Sequence, residues 1–380
     1  MVYLLSDRAR KMAKEKKKWW WTLGILAFVI YVLIAPRPIS EETILKPRWI
    51  TSLESNFPVS LGDISIPQDN GQMQNFANLL PFRLGNRYGY MGDDGNFTLS
   101  QIGKGYISLS ENAWAEYEAT PSSIRIMNPL NEPVLDIENP EGYPLFLENR
   151  IFMIGKEQNS ITALGSDGKE LWTHDFPAPI TCIDGAGGYV LAGTLDGAIE
   201  LLNSQGKPVI TPFEPRGSRL SVILGCAISQ DASRLAIISG IDEQRFLLLE
   251  QASDTYRVIY HEFLGSGFRR PVYISFVDND GKVAFEREGG LGIYDIGSRS
   301  SMNLPLEGEI AVLDNSGEGR YLFVITSQGP KQKRFISIRY PGIIVIDAPF
   351  KSDSAFFARR DNRLYLGGDS TMASFELGRK

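Results

Sequence analysis

The sequence predicts an all-β protein, a β-propeller preceded by one N-terminal transmembrane helix. Three observations carry this reading. An uncharged 17-residue run, 19–35, follows a cluster of cations near the start. Beyond it, short β-rich stretches recur at intervals of roughly 40 residues between Gly, Asp, Asn and Ser turns. Nowhere in that region does an amphipathic helical period hold.

The apolar run from Trp19 to Ala35 carries no charge, and apart from Tyr31 its one polar side chain is Thr22. As a helix it covers roughly 25 Å, slightly less than a ~30 Å hydrocarbon core. Its flanks make up the difference: Trp19, Trp20 and Trp21 suit the interface, and Lys16, Lys17 and Lys18 can snorkel to headgroups. Seven cations and two acids occupy residues 1–18, and the next cation after the run is Arg37, which places the N-terminus inside. A cleaved signal peptide shares the basic start and apolar middle. Cleavage after Ala35 would however put Leu33 at −3 and Pro36 next, so the run reads as an uncleaved signal-anchor. The expected organisation is a cytoplasmic basic segment (1–18), the anchor helix (19–35), a periplasmic tether (36–80) and the propeller (81–380). Pro36, Pro38, Pro47, Pro58 and Pro67 punctuate the tether, which shows no sustained strand period. Apolar spots at Trp49-Ile50 and Phe57 are candidates for docking onto the body.

The repeat unit is visible in spacing first. Apolar strands following tight turns begin near Ala113, Ile151, Tyr189, Leu235, Val283, Tyr321 and Leu364, at intervals of 38, 38, 46, 48, 38 and 43 residues. That is the period of a four-stranded propeller blade. Residues repeat too: the segment 160–169 aligns with 198–207, so that Leu164 meets Leu202, Ser166 meets Ser204, and Gly168-Lys169 meets Gly206-Lys207. Gly168 and Gly206 would supply the positive φ of hairpin turns. Seven blades are favoured. The segment from Arg83 to Gly105 then completes the last blade; as a short eighth blade, it is the alternative.

On these residues the chain resembles known families. Gly168-Lys169-Glu170-Leu171-Trp172, with Gly188 to Thr194 and Asp196-Gly197, is similar to the repeat of quinoprotein-like (PQQ-like) propellers. Ser229 to Ala236 and Asp314 to Leu322 resemble the hairpins of WD40-like propellers. The resemblance implies architecture more than activity, because propellers host many unrelated functions. Catalytic quinoproteins carry a docking tryptophan in nearly every blade, whereas this body has just Trp114 and Trp172. No cofactor is therefore expected.

Residue chemistry points the same way. The chain carries −6 overall and +5 in residues 1–18, leaving −11 for the rest, which argues against a nucleic-acid partner. The two histidines, His174 and His261, fall on outer strands of different blades, too few for a histidine metal site. Asp278-Asn279-Asp280-Gly281 begins like a calcium loop, yet its twelfth position is Gly289, so it reads as a turn, as do Asp93-Asp94-Gly95 and Asp314 to Gly317. No nucleophile elbow or phosphate loop occurs, and Gly185 to Gly188 leads into a strand without a helix N-terminus. Cys182 and Cys226 sit on the first strands of neighbouring blades and read as two buried thiols, with a disulfide as the alternative. No catalytic or metal-binding residues and no small-molecule substrate are expected.

Surfaces remain. Phe263 to Pro271 reads as a long connection presenting Phe263, Phe268, Arg269 and Arg270, and Arg359-Arg360 forms a basic loop patch; these are the candidate partner contacts. The expected function is a non-enzymatic scaffold at the bacterial inner membrane, its propeller in the periplasm, serving a protein partner in an envelope complex such as secretion, outer-membrane assembly or the flagellar motor. A quinone-dependent or hydrolytic enzyme and a transmembrane sensor are the alternatives.

Overall fold

The computed structural model describes residues 43–54 and 76–379 except positions 77, 211–212, 216–217, 254 and 315–318, together with Ile25 and Phe28. Apart from those two residues, the expected anchor with Trp19, Trp20, Trp21 and Lys16, Lys17, Lys18 lies outside the described residues. Among the described residues no helix is long and apolar enough to cross a membrane. The chain divides into a large unit, residues 45–377, and a small one made of 1–44 and 378–380.

The large unit is an all-β ring of eight antiparallel sheets. They span 79–102, 106–138, 142–175, 180–202, 223–263, 274–305, 309–351 and 355–379, here blades 1 to 8. Each is a meander in which successive strands pair outward from an inner first strand; in blade 5 these are Ile223–Ile228, Arg234–Ser239, Arg245–Ala252 and Thr255–Phe263. The apolar starts read from the sequence fall at the second strands of blades 2 to 8. Those strands are flanked on both faces by neighbouring blades, so Leu235, Ala236, Ile237 and Ile238 are all completely buried. Outer strands face a neighbour on one side only, and Glu170–Asp175 accordingly alternates between exposed and half-buried residues. Core clusters sit between blades: Phe246, Phe285 and Tyr294 join blades 5 and 6, with the two phenylalanine rings stacked at 4.4 Å.

The count of seven blades is corrected to eight. The segment from Arg83 to Gly105 does not complete the last blade. It belongs to blade 1, whose strands Leu79–Leu84, Arg87–Gly92 and Phe97–Ile102 have no fourth partner among the described residues. With three strands among the described residues, blade 1 spans only residues 79–102, which is why the next repeat follows so soon. Blade 8 is instead completed by Thr43–Ser52, from the stretch read as tether, in the order Thr43–Ser52, Thr371–Arg379, Arg363–Gly368, Ala355–Arg360. Pro47 disguises this strand in the sequence, yet an edge strand tolerates a residue without an N–H.

Closure is concentrated on one turn of blade 1. The Trp49 indole N–H donates to the Asp93 carbonyl at 2.9 Å, and its ring lies 6.1 Å from Tyr365. The Asp93 carboxylate accepts from Tyr365 Oη at 2.6 Å and from Arg363 at 2.5 Å, with Arg360 at 3.7 Å. Arg360 also donates to the Leu79 carbonyl at 2.9 Å. Gly95, at φ 85°, completes the fit: a Cβ there would stand 2.8 Å from the Trp49 ring. Asp93-Asp94-Gly95 is thus a turn, as expected, and also the latch between the first and last blades.

Trp49→Ala should lower the stability of the full-length protein in detergent by about 2 kcal/mol, read as a fall in its urea midpoint. Ile50→Ala, on the same strand but 71 % exposed, should change it by less than about 0.5 kcal/mol. Equal effects of the two substitutions would refute closure through Trp49.

Candidate functional site

The inner strands of blades 2, 3 and 4 are Tyr106–Leu109, Gly142–Leu147 and Ile180–Ala186. Most of their residues are half-buried, whereas every residue of the corresponding strand in blade 5, Ile223–Ile228, is buried. Around the leading ends of the three strands opens a cavity of about 630 Å³, lined mainly by apolar and aromatic side chains.

Three tyrosines dominate it. Tyr106 and Tyr117 are antiparallel partners on adjacent strands of blade 2, so they share a face. Their rings stack at 6.0 Å and 23°, and Tyr143 of blade 3 continues the stack against Tyr117 at 5.6 Å and 25°. Such pairs contribute about 0.5–1.5 kcal/mol each beyond the burial of their area. The hydroxyls hold them in place. Ser108 spends its only proton on the Pro144 carbonyl at 2.6 Å, so Tyr117 Oη, 3.2 Å away, must donate to Ser108 Oγ. Tyr143 Oη donates to the Ala119 carbonyl at 3.0 Å. Tyr106 ends the stack with 60 % of its surface exposed.

The floor comes from Ile180, Thr181, Cys182 and Ile183 of blade 4. Behind it, Asp184 accepts backbone N–H bonds from Gly185 and from Ile228 of blade 5, each at 2.9 Å. Burial still outweighs these bonds and pushes the Asp184 carboxyl above its usual range. The Gly-rich turn beside this strand does cradle an anion, but an internal one: Gly187 and Gly188 N–H donate to the Glu148 carboxylate of blade 3 at 2.6 and 2.8 Å.

The expected contact residues fall elsewhere and do not converge on this cavity. Phe263 ends the outer strand of blade 5, 58 % exposed, with the Arg245 guanidinium 5.6 Å from its ring centroid. Arg269 is exposed, while Phe268 is half-buried against the core between blades 5 and 6. Arg270 lies 4.8 Å over Phe268 and grips the buried Glu286 carboxylate with two bonds of 2.7 and 3.0 Å. Arg359 reaches the Tyr321 carbonyl in blade 7 at 3.3 Å, and Arg360 belongs to the seam with blade 1. Arg359 and Arg360 thus tie neighbouring blades together, and Arg270 pins the connection before blade 6 to that blade's second strand.

His174 Nε2 lies 2.9 Å from the buried Glu200 carboxylate, again between adjacent blades. No group of three or more His, Cys, Asp or Glu is placed to hold a metal among the described residues. The tyrosine stack was missed in the sequence because its members come from two blades. The available signal was Tyr106 and Tyr143 opening consecutive first strands, 37 residues apart.

Comparison with known proteins adds family and fold. A family model of β-propeller proteins matches residues 11–379. An uncharacterized protein of Treponema pallidum (strain Nichols) is 24 % identical over 365 residues, covering 96 % of this chain and 95 % of that protein. The crystal structure of BamB from Moraxella catarrhalis superposes with a TM-score of 0.57 at 15 % identity, over 88 % of this chain and all of that one. Apo AztD from Citrobacter koseri gives 0.52 at 14 % identity, over 76 % and 88 %. The two solved structures share the fold with this chain.

The raised Asp184 carboxyl sets a pH dependence. A folded-state pKa above the unfolded value gives a stability contribution that is full below the unfolded pKa and lost as pH rises through the folded one. Asp184→Asn keeps an acceptor for Ile228 N–H but never ionises. The wild type should therefore lose thermal stability relative to this variant as pH is raised from about 4, the ordinary carboxyl value, towards neutral. A constant difference in Tm across that range would contradict the assignment.

Proposed function

This chain belongs to a β-propeller protein family, and from that premise we propose that it is a non-enzymatic interaction scaffold. In this reading residues 19–35 anchor it in the bacterial inner membrane and the propeller works in the periplasm for an envelope complex. The observation that carries the scaffold role is the Tyr106–Tyr117–Tyr143 stack beside an apolar cavity. Aromatic side chains with fixed rings lose little entropy on binding and are enriched where proteins meet. Tyr106 and Tyr143 stand on inner strands of a stiff ring and Tyr117 on the adjacent second strand of blade 2, with hydroxyl bonds holding two of the three, so the surface is organised before a partner arrives. An extended segment of a partner, bearing apolar or proline side chains, fits such a cavity. The membrane part of the proposal rests on the uncharged run, its tryptophans and the charge asymmetry around it.

Crosslinked capture of the tagged full-length protein from its native envelope tests this. A defined protein partner should be recovered, and Tyr106→Ala should weaken its binding about tenfold while lowering stability, read from the urea midpoint, by no more than about 0.5–1.5 kcal/mol, the worth of its stacking contact. Recovery of lipids and chaperones alone would sink the scaffold role. Undiminished capture by Tyr106→Ala would move the contact away from this cavity.

A further inference from the structure

The first strands of blades 4 and 5 lie side by side, and one hydrogen bond sets their register. Asp184 Oδ2 accepts from Ile228 N–H at 2.9 Å. Two residues back on each strand, hence on the same faces, are Cys182 and Cys226. The offset is 44 residues in both pairs, so the bond that joins Asp184 to Ile228 also sets the cysteines opposite each other.

Both sulfurs converge on Gly193, the strand partner of Cys182. A Cβ at that position would stand 2.7 Å from Cys182 Sγ. Cys226 Sγ approaches the same strand from the other blade, 3.9 Å from the Leu191 carbonyl. The missing side chain thus leaves room beside Cys182 Sγ that the Ile223 side chain of blade 5 also enters, 2.5 Å from such a Cβ. The cysteines differ in access: Cys182 is half-buried and lines the tyrosine cavity, whereas Cys226 is buried behind it. Contact with the Cys182 thiol, and then burial, push the Cys226 thiol well above its ordinary range. Both cysteines are free thiols in the structure.

We propose that Cys182 and Cys226 form a redox pair that closes a disulfide between blades 4 and 5 at the floor of the tyrosine cavity. The oxidant is an incoming disulfide, of a small thiol or of a dithiol oxidoreductase, admitted through the cavity. Cys182, as thiolate, attacks one sulfur of that disulfide; the incoming S–S bond breaks, and its other sulfur leaves and takes up a proton. The mixed disulfide on Cys182 is then attacked by Cys226, which gives up its proton as it does so. The bond from Cys182 to the small thiol breaks, and the second leaving sulfur is protonated. Two protein thiols are oxidised and one disulfide is reduced to two thiols. Cys226 is too enclosed to start the exchange, so the order of the two cysteines follows from their burial. This inference does not depend on the membrane anchor or on any protein partner.

The test uses full-length protein in detergent, reduced and then exposed to oxidised glutathione, with peptide mass spectrometry and thiol counting. Wild type should pass through a transient adduct on Cys182 and end with no free thiol and a Cys182–Cys226 bond within one chain. Dithiothreitol should reverse this, and the oxidised form should melt roughly 3 °C higher. Cys226→Ser should stop at a stable glutathione adduct on Cys182, and Cys182→Ser should keep its remaining thiol free while folded. A lasting adduct in wild type, a bond between two chains, or thiols that stay free in both wild type and Cys226→Ser would each overturn the proposal. Mapping the bond in wild type decides the matter even where a serine variant fails to fold.

Discussion

Eight sheets around an axis can bury both faces of their middle strands only when the last sheet meets the first. That seam has no chain connection of the ordinary kind, so it must be made by side chains and by one borrowed strand. The Asp93 turn supplies it, receiving the Trp49 indole on its carbonyl and Tyr365, Arg363 and Arg360 on its carboxylate. Without the seam, the inner cluster of Phe82, Met91, Tyr365 and Met372 would be split between two open faces. Each interface around the ring relies on the same closure, because an open arc leaves two blades with apolar faces in water.

Between the other blades a second device recurs: an acid from one blade accepts from the next. Asp184 takes Ile228 N–H, Glu148 takes Gly187 and Gly188 N–H, and the Gln230 N–H, at the end of a strand in blade 5, goes to Asp280 of blade 6 at 2.8 Å. Apolar packing between sheets is non-directional and tolerates sliding, whereas these bonds fix one register. A partly buried carboxylate is costly unless paired, and each of these is paired with backbone N–H groups. The acidity of the body thus has an internal use besides its effect on solubility. At the boundary of blades 2 and 3, where Tyr143 meets Tyr117, the Ser108 hydroxyl donating to the Pro144 carbonyl does the corresponding work.

What could be read from the sequence follows from how each strand is buried. Second strands, enclosed on both faces, announce themselves as apolar runs, and Leu235 or Val283 could be located from spacing alone. Gly168 and Gly206 could be read as hairpin positions, and both have positive φ, 78° and 72°. Thr43–Ser52 was hidden, because Lys46, Pro47 and Arg48 break the alternation of a strand with one face in solvent. Blade 1 was misread because its three described strands occupy a shorter stretch than the period of the other blades. Arg270, Arg359 and Arg360 were read as candidate partner contacts, and nothing local in the sequence reveals that Glu286, Tyr321 and Leu79 stand opposite them. The tyrosine cavity was not legible for the same reason: aromatics in strands read as core, and their stacking is a property of neighbouring blades.

The borrowed strand also imposes an order on how the molecule is made. Arg48 pairs with Glu376 across a sequence separation of 328 residues, so the earlier segment must wait for one synthesised much later. At a synthesis rate of ~5–20 residues per second the wait is roughly 15 to 65 s, during which blades 1 to 7 can form but the seam stands open. A chain released before that point retains two apolar flanks that complete blades would have hidden. The ring therefore closes only once Thr371–Arg379 has emerged and Thr43–Ser52 can dock against it.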